Sequence, residues 1–275
     1  MDDLTALVTK IRSSSKYRHV SIDVIQSVGS RELAKHQSVK EATQATRSKL
    51  HQIGGAYQGS SLRYAVWLTE MQAAQQTGDH AQFRQICERV MTQHTSTRER
   101  LPILDRFYTE ILADLPPVHS VLDLACGFNP LTIPWMSLPA DAIYYAYDIY
   151  EDLMSFLQRF ISLCGYRTIV GAQSIIGNYP VVPRVDLALL LKAIPCLEQV
   201  DKAAGSRLLN QIDAQNILVT YPVHSLGGRA KGMVTNYETR FMELIESSGW
   251  QVHKYTYRSE LAFLLRKDDS SSIAG

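Results

Sequence analysis

Asp123, Gly127, Asp148, Lys192 and Tyr221 are the residues whose types and spacing suit chemistry. Each follows a short apolar run of the kind that forms a buried strand. The first run, HSVLDLA, leads into DLACGFNP at 123–130. A glycine at the end of a strand lets a ligand approach the backbone closely. The second run, AIYYAYDI, carries Asp148, 21 residues beyond Gly127. An acid at about that distance from a glycine turn can accept the hydroxyls of a ribose. The chain lacks a GxGxxG signature there, which a dinucleotide needs around its pyrophosphate. An adenosyl group without phosphates does not need it. The spacing therefore points to S-adenosylmethionine rather than NAD, although D-x-A-x-G also ends strands in many α/β proteins.

Lys192 closes a third apolar run, in LLLKAIPCLE. It is either a snorkelling edge residue or a ligand for cofactor or target. Tyr221 precedes Pro222 at the end of NILVTYP. Its ring either stacks on an extruded base or belongs to the core. The segment HSLGGRAKGM (224–233) adds Arg229 and Lys231 on a glycine-rich loop beside these strand ends. Such a loop suits closure over phosphates, or is an ordinary surface loop.

The elements that must position these residues fall into two textures. Before Pro116-Pro117 the chain reads as helical. Val39, Ala42, Thr46, Leu50 and Ile53 form one buried stripe, with Ser38 as its N-cap and Gly54-Gly55 as its end. Lys40, Arg47 and His51 share another face of that helix. Further helices are expected over Leu62 to Gln76 and His80 to Gln93. A longer one is expected in HTSTRERLPILDRFYTEIL, capped by Ser96 or Thr97. After the prolines, HSVLDLA, AIYYAYDI, YRTIVGA, VDLALLLK and NILVTYP read as strands. Helices are expected between most of them: Asp152 to Leu163, Gln199 to Ile212 and Asn236 to Ser247. WQVHKYTY and ELAFLLRK read as a closing antiparallel pair. Alternating strands and helices predict an α/β fold with a doubly wound, mostly parallel sheet, preceded by a helical domain. The expected division is 1–110 and 111–275.

Composition bounds the function. Hydrophobic residues at 45% and charged residues at 20% are ordinary for a globular domain. No apolar run reaches the roughly 20 residues of a membrane-spanning helix, and the acidic start does not read as a secretory signal. Cys87, Cys126, Cys164 and Cys196 form no CxxC pair, so free thiols in a reducing cytoplasm are expected, and no metal. Residues 1–110 hold 15 Lys+Arg against 11 Asp+Glu, whereas residues 111–275 hold 13 against 16. The first part thus permits an anionic partner, and a solvated helical surface gives the same balance.

Taken together, SSKYR (14–18), RSKLHQIGGAY (47–57), HTSTRERL (94–101), DLACGFNP, LLLKAIPCLE and YPVHSLGGRAKGM (221–233) resemble the aminoglycoside-resistance 16S rRNA (guanine(1405)-N(7))-methyltransferases. The likeness runs through most of the chain. RSKLHQIGGAY and SLGGRAKGM are its most specific segments, and DLACG is shared by many methyltransferases. The resemblance implies a Rossmann-like domain that binds S-adenosylmethionine, and a helical domain that docks on the 30S subunit. It implies a cytoplasmic monomer acting on 16S rRNA.

Carried over by position, Asp148 would hold the cofactor ribose. Ala125 and Gly127 would line it through their backbone, and Arg100 would pair with its carboxylate. Asp123, Asn129, Ile149, Ser174 and Ile175 would complete the cofactor site. Tyr57 and Lys192 would lie near cofactor and target, with Tyr221 near the target base. Lys16, Arg18, Arg47, His51, Arg229 and Lys231 would contact RNA. One departure stands out. Relatives often carry an acid just after the third strand, and this chain has Ser174 in GAQSII. A hydroxyl can still accept a hydrogen bond from an adenine amino group. Three rivals remain: a methyltransferase for another decoding-site base, an RNA-binding assembly factor on a methyltransferase fold, and a small-molecule methyltransferase.

Overall fold

The computed structural model describes residues 2–55, 62–175, 179–223, 233–246 and 248–267. Its first part is helical: α1 (Asp3–Arg12), α2 (Ile22–Leu33), α3 (Val39–Leu50), α4 (Tyr64–Gln76), α5 (His80–Met91), α6 (Thr95–Arg100) and α7 (Leu104–Ala113). Three of these begin on side-chain caps. Asp2 accepts from Thr5 N at 2.7 Å, Ser38 from Glu41 N at 3.2 Å and Asp79 from Gln82 N at 2.8 Å. Each satisfies one of the donors that a helix start leaves unpaired.

Two helical boundaries differ from expectation. The α-helix closes earlier than Gly54-Gly55: α3 ends at Leu50, and the chain reaches the two glycines through a π turn over His51–Gly55. The helix expected to be capped by Ser96 or Thr97 starts at Thr95 with His94 in the cap position. Thr97 turns its hydroxyl back onto Met91 O at 2.8 Å instead of capping. Pro102 sits in a 3₁₀ turn, Leu101–Ile103, which separates α6 from α7 because proline has no N–H to continue the ladder.

The second part alternates strands and helices: β1 (Ser120–Leu124), β2 (Ile143–Asp148), α8 (Glu151–Leu163), β3 (Arg167–Ala172), β4 (Val185–Leu191), α9 (Ile194–Val200), α10 (Ala204–Gln211), β5 (Ala214–Pro222), α11 (Met233–Ile245), β6 (Trp250–Thr256) and β7 (Glu260–Lys267). The single helix expected over Gln199 to Ile212 is two. Asp201 breaks it by accepting from Ala203 N at 3.0 Å, a local turn that competes with the helix. The sheet order is β3-β2-β1-β4-β5-β7-β6, parallel from β3 to β5, with β7 antiparallel to both neighbours.

Both faces of the sheet are covered, so its strands read as continuous apolar runs. Leu122, Ala188, Ile217 and Val219 pack with α10 and α11. Val121, Leu187, Leu189 and Leu218 pack with α8 and, in the same continuous cluster, with buried residues of α1 to α5 and α7. The expected division at 110/111 falls inside α7. The helical part also bonds to the backbone just beyond β2. Val20 and Tyr150 form an antiparallel bridge, Ser21 N donates to Ile149 O at 2.9 Å, and Glu151 N donates to His19 O at 2.8 Å.

Candidate active site

The parallel register brings the ends of β1, β2 and β4 side by side, where ligands of open α/β sheets bind. The chain leaving β1 turns sharply. Ala125 has φ 52° and Gly127 φ 49°. A Cβ on Gly127 would stand 2.9 Å from the His94 imidazole, so only glycine fits there. The turn is clamped to β2: Gly127 N donates to Asp148 Oδ2 at 2.8 Å, and Ile149 N donates to Asp148 Oδ1 at 2.7 Å. Each carboxylate oxygen keeps a lone pair beyond these bonds, and the group is fixed in orientation. Burial nonetheless holds Asp148 above the usual carboxylate range, against the pull of the two N–H groups.

The cleft is lined from both parts of the chain. Ala125, Cys126, Gly127, Asn129, Asp148, Tyr150 and Lys192 come from the strand ends, and Ile53, Gly54, His94, Ser96 and Arg100 from the helical part.

Behind the cleft runs a buried polar network. Arg100, 1% exposed, pairs through Nε with Glu260 Oε1 at 2.9 Å and donates through Nη2 to Glu260 Oε2 at 3.1 Å. It also donates to Asn129 Oδ1 at 2.8 Å, and its guanidinium lies 5.0 Å from the Phe107 ring centroid. Tyr108 donates to the same Asn129 oxygen at 2.6 Å. Asn129 in turn donates to Asp123 Oδ2 at 2.8 Å, which also accepts from Tyr144. Lys192, at φ 59°, meets Glu99 at 2.8 Å, Glu260 at 3.2 Å and Ser96 O at 3.3 Å.

These surroundings move several pKa values. Burial alone would raise Glu260, but Arg100 and Lys192 more than offset it and hold the carboxyl below its ordinary range. Burial pushes Asp123 up to about 7, with its two hydrogen bonds and Arg100 pulling the other way. Burial, aided by Arg100, Lys192 and Arg98, pushes His94 down to about 4, so its ring is neutral at pH 7.

The expected residues therefore divide. Arg100, Ala125, Gly127, Asn129, Asp148 and Lys192 line one cleft. Asp123 stands behind it, 1% exposed, and acts through Asn129. Ile149 borders the site through its backbone. Ser174 and Ile175 are buried beyond β3, Ile175 within the second apolar core, and neither lines the cleft among the described residues.

One expectation is corrected, and one open alternative is closed. Tyr221 is a core residue, 3% exposed and packed on Tyr237, Phe241 and Phe263, because the alternation of β5 turns it toward α11. Lys192 is no snorkelling edge residue. It is 8% exposed, and its ammonium is turned toward α6 and β7.

On the helical part, Lys16 Nζ lies 3.1 Å from His51 Nδ1, and both side chains are exposed. Arg18 is exposed as well. Arg47 is half-buried and donates to Lys10 O at 3.0 Å, so part of its role is to join α1 to α3. Tyr57, Arg229 and Lys231 lie outside the described residues.

Glu260, His94, Glu99 and Gly54 escaped sequence reasoning as members of the site. Glu260 opens an ordinary-looking strand, and nothing local marks it as the counter-ion of a residue 160 positions away. Among the described residues no cluster could hold a metal ion, and no helix is long and apolar enough to cross a membrane.

The strand order, the reversed β7 and the glycine turn clamped to an acid on the next strand define a Rossmann-like methyltransferase. A family model described as "Ribosomal RNA methyltransferase (FmrO)" matches residues 12–264, and the chain belongs to that family. It is 32% identical over 269 residues, 97% of each chain, to the 16S rRNA (guanine(1405)-N(7))-methyltransferase of Micromonospora rosea. It is 31% identical to the protein of the same name from Serratia marcescens, covering 95% of this chain and 97% of that one. A crystal structure of the 16S rRNA methyltransferase RmtF with S-adenosyl-L-homocysteine superposes with TM-score 0.79 at 26% identity, covering 97% of this chain and 99% of that one.

Proposed function

We propose that this chain uses S-adenosylmethionine to methylate N7 of guanine 1405 in 16S rRNA, within the 30S subunit, and thereby confers aminoglycoside resistance. The observation that carries this reading is kinship above 30% over nearly the whole chain with enzymes of that name. The cleft residues fit the donor. Asp148 is oriented for a ribose, the backbone at Ala125 and Gly127 is open to close approach, and Arg100 keeps N–H groups beyond its hydrogen bonds to Asn129 and Glu260.

When bound, S-adenosylmethionine supplies an activated methyl group on a cationic sulfur. Guanine N7 already presents a lone pair in the ring plane, so no side chain has to remove a proton from it. The residues of the chain then have to bind, orient and exclude water. Asp148 and Arg100 hold the two ends of the donor. Asn129, steadied by Asp123 and Tyr108, keeps Arg100 aimed. His94, neutral at working pH, adds no third cation beside Arg100 and Lys192. Ser174 and Ile175 would reach the adenine only from the buried segment beyond β3. Tyr57, Lys192 and the 224–232 segment would border the target guanine.

Residues 1–110 form the 30S-docking part, with Lys16, Arg18, Arg47 and His51 toward RNA, joined by Arg229 and Lys231. Residues 111–275 form the catalytic part. The enzyme works as a cytoplasmic monomer. A cationic, bulkier guanine in the decoding site would repel cationic aminoglycosides.

The test is methyl transfer from labelled S-adenosylmethionine to 30S subunits, with cleavage at N7-methylguanine to map the product. Label at that single guanine is expected. Label at another base would replace the assigned target. No label together with no cofactor binding would favour an assembly factor on a methyltransferase fold.

A further inference from the structure

The bonds between the helical part and the exit of β2 converge on the three residues that follow Asp148. Ile149 O accepts from Ser21 N at 2.9 Å, Tyr150 bridges Val20, and Glu151 N donates to His19 O at 2.8 Å. A side-chain brace reinforces them. Arg12 Nη2 pairs with Glu151 Oε2 at 2.8 Å, and the same guanidinium donates to Arg18 O at 3.1 and 3.0 Å. A second contact comes from the π turn. A Cβ on Gly54 would stand 2.8 Å from Ile149 Cδ1 and 2.9 Å from Tyr150 Oη, so the turn seats there only because residue 54 has no side chain. Ile53, Gly54 and Tyr150 all line the cleft, and Lys49 ties α3 to Gln199 O on its other side at 3.1 Å.

We infer that Gly54 and the Arg12–Glu151 brace are positioning elements for the cofactor: the helical part completes the donor site by fixing the segment that follows Asp148. The inference rests on the methyltransferase reading of the cleft. It adds that the donor site is not a property of the Rossmann-like part alone. Lys16 and Arg18 stand on the 13–21 segment, and His51 on the π turn, that make these contacts. Ligands at two places that bias one shared element must bias each other equally, so RNA docking and donor binding are linked.

The variants are Gly54→Ala and Arg12→Gln in the full chain, with the exposed Lys267→Gln as a control. Donor affinity is measured with S-adenosylmethionine, and methyl transfer is measured on 30S subunits. Gly54→Ala is expected to raise the Kd and KM for the donor about tenfold or more, because it meets a close contact. Arg12→Gln, which removes a partly exposed pair, should raise them about threefold. In both, kcat at saturating donor should stay within about twofold, and the control should change nothing. A loss confined to Tm and to kcat would mean that these residues only support the fold, and would overturn the inference. Unchanged Kd and KM in Arg12→Gln would also overturn it, since that partly exposed substitution spares the core. If the wild-type chain itself bound no donor, the functional reading would fail instead, and the two failures are thus distinct.

Discussion

The cleft and the proposed docking face of the helical part both carry Lys and Arg, and they use them in opposite ways. In the cleft, Arg100 and Lys192 are sealed from water and matched to Glu260, Glu99 and Asn129. On the docking face, Lys16 and Arg18 stand in solvent, and Lys16 has the His51 ring beside it. A buried cation is expensive unless paired, so those in the cleft are fixed structure. An exposed cation costs little and stays available to a phosphate. The same residue type therefore builds the site in one region and, in the proposed function, meets the substrate in the other.

Glu260→Ala should separate the two regions most sharply. It leaves Arg100 and Lys192 without their shared counter-ion, and a loss of about 3–5 kcal/mol is expected, read as a lower Tm and denaturation midpoint. A stability unchanged within error would mean that Glu260 is not the keystone of the buried network. Asp148→Ala comes next. It removes the acceptor for charge-assisted hydrogen bonds worth about 1.5–3 kcal/mol each, so calorimetry should show donor affinity falling at least about tenfold with the fold intact. An unchanged affinity would take Asp148 out of the site.

Two buried groups, His94 in the cleft and Asp123 behind it, predict opposing responses to pH. His94 has a folded pKa of about 4, below its ordinary value of 6.5. The stability tied to its neutral form is present above that unfolded value and is lost as pH falls toward 4. Asp123 has a folded pKa of about 7, above its ordinary value of 3.8. The stability tied to its protonated form is present below that unfolded value and is lost as pH rises toward 7. Between pH 4 and 6.5 the two slopes oppose each other. His94→Asn should leave a protein that loses stability as pH rises across this window, and Asp123→Asn one that gains it. Each change should reach about 2–3 kcal/mol across the window. Parallel pH curves for both variants would contradict the assignment.

The docking face should give the smallest effect on the fold and a selective one on function. Lys16→Glu with Arg18→Glu should leave Tm within about 1 °C, because exposed substitutions of this kind shift stability by only tenths of a kcal/mol. Binding to 30S subunits should weaken, and its salt dependence should flatten by about one unit of log–log slope for each phosphate no longer neutralised. Normal binding and methylation by the double variant would move the RNA surface elsewhere. Arg47 is the poorer probe, since its bond to Lys10 O makes it part of the scaffold.

Much of this was written locally in the chain. The apolar runs ending at Leu124, Asp148, Leu191 and Pro222 are continuous because both faces of the sheet are covered, and they mark the parallel strands. Ser38 announced its helix because a capping hydroxyl acts within three residues. The Gly127 to Asp148 spacing was legible because a strand, a turn and the next strand fix it, and the structure joins the two by a 2.8 Å bond. Tertiary packing decided what depends on distant partners. Glu260 becomes a counter-ion only when β7 inserts beside β5 and meets α6. Tyr221 became core because Phe241 and Phe263 arrive on its side of the sheet. Gly54 looked like a helix stop and became a seat on Ile149 and Tyr150, because its missing side chain matters only against what packs there. Periodicity and caps are short-range and survive in one dimension. Charge compensation and close approach belong to pairs that the chain brings together only on folding.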